Sequence, residues 1–240
     1  MNLPDPHTGF FGKVRSHGDF VARRLPASFT RVWDDWLQAA LKASREQLGP
    51  AWLGTYLNSP IWRFALAPGV CGPHVWTGVL MPSVDRVGRQ FPLTIAAGVV
   101  GGAPVLDWMA QSQAQAWYES LETLALSSLL DDFSLDTFDA TLRLIAGPPG
   151  SAASGDVPVD AARGHMLALA RLDSLGGAIP QLSRVIAAAA LDGHSLWWTQ
   201  GSQQVAPCVL MHRGLPAARS FTALLDGQWR MHGWQGSSAP

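Results

Sequence analysis

Apolar residues at Phe29, Val32, Trp33, Trp36, Leu37, Ala40 and Leu41 recur at the spacing of one helix face. They predict an amphipathic helix that starts at Leu25-Pro26-Ala27-Ser28 and ends near Gly49-Pro50. The opposite face holds Arg31, Asp34, Asp35, Gln38, Lys42 and Arg45 and reads as solvated. Ahead of the helix, residues 9–14 read as a short strand bounded by glycine, followed by the turn Ser16-His17-Gly18-Asp19. Behind it, residues 61–67, 74–81 and 91–100 read as strands, joined by a Pro/Gly-rich connection at 68–73 and a loop at 82–90. Connections this short predict antiparallel neighbours.

The second half continues the alternation. A long helix is predicted over 105–130, with Asp107, Glu119 and Glu122 but no Lys or Arg, running into the acidic residues Asp131, Asp132, Asp136 and Asp139. This stretch reads either as a solvated face or as a docking surface for a basic partner. An amphipathic segment at 138–145 ends at the Gly, Pro and Ser residues of 147–155, the linker-like passage within the chain. We expect one domain over 1–240, with any flexible subdomain boundary at 147–158. Residues 165–172 read as a strand or a helix and 180–191 as a helix; 195–199 and 208–212 read as strands and 217–225 as a helical turn. Strands and helices in this order predict a layered α/β or α+β fold.

Composition narrows the function classes. Nearly half the residues are hydrophobic and only 15% charged, which excludes a disordered chain. The longest wholly apolar run, 185–191, is far shorter than the roughly 20 residues of a membrane helix. The N-terminus lacks the cationic start and apolar core of a signal peptide, so we expect a cytoplasmic protein. A net charge of -1 argues against bulk affinity for nucleic acid. Residues 1–90 carry ten Lys or Arg against six Asp or Glu, net +4; residues 91–240 carry seven against twelve, net -5. Cys71 and Cys208 lie far apart without CxxC spacing and are expected to be reduced. The seven histidines are scattered, so no metal or cofactor is expected.

No nucleophile elbow, phosphate loop, zinc-protease helix or dinucleotide fingerprint occurs. His17 and Asp19 flank a glycine, where adjacent side chains diverge, and Asp19 suits a turn-pinning role. Cys71 with His74 is a conceivable thiolate pair, opposed by Gly72-Pro73 between them. Arg86 and Arg89 are the most informative charges, because guanidinium groups on a constrained turn suit an anionic partner. Equally, Asp85 can pair with one of them and hold the loop closed. In Trp197-Trp198 the two rings must face opposite sides of a strand, and an exposed ring suits an interface.

Several blocks carry a family resemblance: Gly9-Phe10-Phe11-Gly12-Lys13, Gly18-Asp19-Phe20-Val21, Ser59-Pro60-Ile61-Trp62-Arg63-Phe64, and Gly78 to Arg89 with Phe91-Pro92-Leu93. With Ser195 to Thr199 and Gly214-Leu215-Pro216 they resemble, in order and spacing, the TagF family of type VI secretion-associated proteins, also called ImpM. The chain departs from the usual pattern at Val14 to His17, where many members have Leu-Pro after the lysine. The resemblance implies a three-layer α-β-α sandwich around a mixed, largely antiparallel sheet. It also implies a cytoplasmic, Gram-negative bacterial, non-enzymatic repressor of secretion-system assembly that binds the forkhead-associated scaffold protein. No catalytic residue carries over. We expect Lys13, Asp19, Arg63, Asp85, Arg86 and Arg89 to bind the partner or brace the loop. The rivals are a small hydrolase or phosphoryl-handling enzyme using Asp19, Asp85, Arg86 and Arg89, and a structural component of the secretion complex.

Overall fold

The computed structural model describes residues 8–99, 112–148 and 191–236. Seven strands form one sheet: β1 (Gly9–Gly12), β2 (Val21–Arg23), β3 (Trp62–Leu66), β4 (Trp76–Met81), β5 (Leu93–Gly98), β6 (His194–Thr199) and β7 (Cys208–Arg213). Their order is β2-β1-β5-β4-β3-β6-β7, and every neighbouring pair is antiparallel. A parallel bridge joins His194 to Gly214. Strands from the two ends of the chain thus flank a central β5-β4-β3 meander.

Helices cover both faces, giving the three-layer sandwich. On one face lie α1 (Ala27–Leu48), α2 (Trp52–Leu57) and the short α5 (Thr222–Asp226); on the other lie α3 (Ser112–Ser127) and α4 (Leu135–Leu144). The alternation of strand side chains divides the core accordingly. Trp62, Phe64 and Leu66 of β3, Trp76 and Leu80 of β4, and Trp197 of β6 meet Phe29, Trp33 and Trp36 of α1. Val79, Met81, Leu93 and Ile95 meet Trp117, Tyr118 and Leu121 of α3 and Phe138 of α4. Polar ends of buried rings find partners: Trp33 Nε1 donates to Thr94 Oγ1 at 2.8 Å and Trp36 Nε1 to the Pro216 carbonyl at 2.7 Å.

The helix predicted from the apolar stripe is α1, ending at Leu48 with the C-cap at Gly49. Val32 departs from that stripe: it is 40% exposed, at the edge of the face that Trp33 and Trp36 bury. Among the described residues β2, with three residues, and α2, with six, went unread, as did the 3-10 turn Gly49–Ala51 between α1 and α2. The helix expected to reach residue 130 ends at Ser127, and its portion before 112 lies outside the described residues. The same holds for the helix or strand expected at 165–172, for all but the last residue of 180–191, and for the 147–158 boundary from residue 149 on. Among the described residues no helix is long and apolar enough to cross a membrane.

Trp198, whose ring an interface reading wanted exposed, packs edge-on against Tyr118 at 4.9 Å beneath α3. Part of the acidic stretch is structural as well. Asp139 is buried and accepts from Arg24 at 2.5 Å and from Arg143 at 2.9 Å.

Candidate functional site

The β4–β5 loop is built around one carboxylate. Asp85 Oδ1 accepts from the backbone N–H of Val87 (3.0 Å) and of Arg89 (2.8 Å), closing a side-chain turn. Its Oδ2 accepts from Arg89 Nε at 2.6 Å and from Lys13 Nζ at 3.0 Å. The Gly88 N–H donates to the Asp85 carbonyl at 3.0 Å, and Gly88 has φ 83°, a left-handed conformation that favours glycine at this turn. The Asp85 side chain is 0% exposed. Burial by itself would raise its pKa; the Arg89 N–H, Lys13 ammonium, Arg89 guanidinium and Val87 N–H overcome that and hold the carboxyl far below the usual carboxylate range.

The loop is then tied to the N-terminal turn. The Arg86 N–H donates to the His17 carbonyl at 2.9 Å, and Arg89 Nη2 donates to the Gly18 carbonyl. Ser83 Oγ donates to the Lys13 carbonyl at 2.7 Å. Beneath them the Tyr56 hydroxyl donates to the Ser83 carbonyl (2.8 Å) and accepts from the Ser83 N–H (2.9 Å). Burial pushes the Tyr56 phenol well up, so it stays a neutral donor. Lys13 also lies 5.2 Å from the centre of the Phe20 ring, and Phe20 meets Phe91 edge-on at 4.8 Å.

Lys13, Asp85 and Arg89 therefore form one cluster, with the Arg86 backbone beside it. Asp19 sits on the exposed edge of the same turn, where its Oδ1 accepts from the Phe20 N–H at 2.8 Å. Arg63 stands apart from this group. On β3 it points at α3, is 1% exposed, and makes a bidentate pair with Glu122 at 2.7 and 2.8 Å. A further bond runs from its Nη1 to Gln115 Oε1 at 2.7 Å. It braces the second layer and presents nothing to a partner. Tyr56 and Ser83 were not anticipated as supports, because α2 is too short to carry a periodic signal.

His17 Nδ1 bonds Ser16 Oγ at 2.8 Å. Burial pushes the Cys71 thiol up to about 12, the reverse of an activated nucleophile. Among the described residues no group of three or more His, Cys, Asp or Glu could hold a metal ion.

The tip of the loop is outward. Val87 is 67% exposed, the Arg89 side chain 60%, and Arg86 is exposed with no hydrogen bond to its guanidinium among the described residues. The site is thus a rigid turn with a buried ionic root and a cationic, partly apolar tip.

No curated protein matches the chain. The crystal structure of PA0076 from Pseudomonas aeruginosa PAO1 is similar, with a TM-score of 0.77 and 34% identity over 97% of both chains. Residues 9–145, which hold the whole loop and both segments tied to it, match the model of the TagF N-terminal domain, type VI secretion system-associated. The chain belongs to the TagF family of type VI secretion system-associated proteins.

Proposed function

We propose that this chain is a non-enzymatic regulator that restrains assembly of the type VI secretion system by binding the forkhead-associated scaffold protein. In this reading the turn from Asp85 to Arg89, with the adjoining Lys13 to Asp19 turn, is the recognition surface. The observation that carries it is the division of labour within the loop. Asp85 is consumed in holding the backbone, while the side chains of Arg86 and Val87 are exposed at the tip. A surface fixed before binding loses little entropy on contact, which favours recognition. The hydrolytic reading fares worse by the same geometry. A carboxylate with no exposure and a strongly lowered pKa neither reaches a substrate nor carries a proton near neutral pH.

The experiment is a titration of the purified scaffold protein against wild type, Arg86→Ala and Arg86→Glu. Because the Arg86 guanidinium makes no hydrogen bond among the described residues, both variants should fold normally. Arg86→Ala should weaken binding by about tenfold and Arg86→Glu by more, as for a charged interface anchor. Unchanged affinity in a folded Arg86→Glu chain would overturn the reading.

A further inference from the structure

Helices α3 and α4 pack side by side on the outer surface of the sheet, and between them runs an open groove of about 970 Å³. Leu124 and Phe138 line it but are 7% and 2% exposed and belong to the core; the apolar surface it offers is Leu130, 58% exposed, with half-buried Phe133 and Ile145. The charged residues lining it are Glu119 and Asp132; among the described residues no lysine or arginine does so. Among the described residues the neighbouring cations already have partners: Arg63, whose charge also interacts with Glu119, is paired with Glu122 at 2.7 Å. Arg143 donates to Asp139 at 2.9 Å, and Arg15 donates to the Leu129 carbonyl at 2.9 Å with Asp131 at 3.9 Å. Asp131 and Asp136 are exposed and adjoin the lining residues Asp132 and Thr137 in the chain.

Leu130, Phe133 and Ile145 leave apolar surface on the open channel, and a wholly apolar ligand would bring no opposite charge to Glu119 and Asp132. From Ala116 to Ser127 the α3 wall runs roughly 16 Å at the helical rise, room for about three turns of a second helix. We propose that this groove docks a basic amphipathic segment of a partner protein. Its apolar face lies on Leu130, Phe133 and Ile145, and its Lys or Arg residues lie over Glu119 and Asp132. This surface does not include the Asp85 to Arg89 turn, so it stands or falls separately from the regulator reading.

The test uses the full chain and a fluorescein-labelled peptide of about fourteen Leu and Lys residues at helical spacing. Three controls accompany it: the same peptide with Ser for Leu, the Glu119→Lys/Asp132→Lys chain, and a charge-matched Asp35→Lys/Glu46→Lys chain altered on the exposed face of α1. Saturable binding should appear with wild type and fall by about tenfold or more in the groove variant, while the α1 variant stays within about twofold. The Ser-containing peptide should bind at background. No saturable binding to wild type, equal loss in both variants, or equal binding of the Ser-containing peptide each overturns the proposal. The first outcome also covers a groove filled by another part of this chain.

Discussion

Asp85→Asn tests the account of the loop most directly, because it preserves volume and removes only the charge. The amide oxygen can still accept from the Val87 and Arg89 N–H groups that Oδ1 serves at 3.0 and 2.8 Å. Its NH2 then faces Lys13 Nζ and Arg89 Nε, donor against donor, where Oδ2 had accepted at 3.0 and 2.6 Å. Arg89 is 60% exposed and can turn to water at little cost. Lys13, with a side chain 9% exposed, cannot, and is left as a buried charge without a partner. Breaking a buried pair in this way costs about 3–5 kcal/mol, against about 5–15 kcal/mol for a whole domain. The double variant Lys13→Met/Asp85→Asn removes the stranded ammonium and should recover part of the loss, which a cycle of the variants resolves. Urea unfolding followed by tryptophan fluorescence measures both, with equal slopes required for comparison. The sign with pH follows from the lowered pKa of Asp85: its contribution is fully present above the unfolded carboxyl value near pH 4 and is lost as pH falls below it. Asp85→Asn should therefore lose less stability than wild type on acidification. An Asn variant within about 1 kcal/mol of wild type at neutral pH refutes the reasoning.

Gly78 lies at the centre of the sheet, opposite Phe64 and Ala96, where an added Cβ would stand 2.0 Å from the Ile95 carbonyl oxygen. Gly78→Ala should cost about 3 kcal/mol or more or abolish soluble expression, and a wild-type urea midpoint would contradict the close approach. Burial pushes the Cys71 thiol up to about 12 and the Cys208 thiol up to about 11. A thiol dye at pH 8 should accordingly label the folded chain slowly, Cys208 before Cys71, and both rapidly once the chain is unfolded. Equal, fast labelling of Cys71 in the folded chain contradicts the packing around it.

Legibility in the sequence followed the range of the forces involved. The α1 stripe and the strands at 62–66, 76–81 and 93–98 are set by local periodicity and turn residues, and could be read directly. Both β2 and α2 escaped because three and six residues hold too little period to stand out from a loop. The dense punctuation of 82–90 marked the loop, and pairing of Asp85 with Arg89 was among its readings. The contact of Asp85 with Lys13 spans 72 residues and has no local signature. Likewise Arg63 looked like a candidate for a partner until folding brought Glu122 and Gln115 over it. The acidic stretch after α3 was visible as charge, yet only packing separates Asp139, spent on Arg24, from Asp132 at the groove.

The place of β6 beside β3 sets a timetable for synthesis. The edge of β3 stays open until β6 exists, and the indole N–H groups of Trp36 and Trp62 await the carbonyls of Pro216 and Leu224, 180 and 162 residues further along. Trp197, which stacks over Trp33 at 5.9 Å, arrives equally late. At ribosomal rates of about 5–20 residues per second, the aromatic face of α1 and a bare strand edge wait roughly 10–30 s for their partners. Through that interval the open edge is an aggregation hazard, and a chain that stops after the family-matched segment should be caught by chaperones or aggregate.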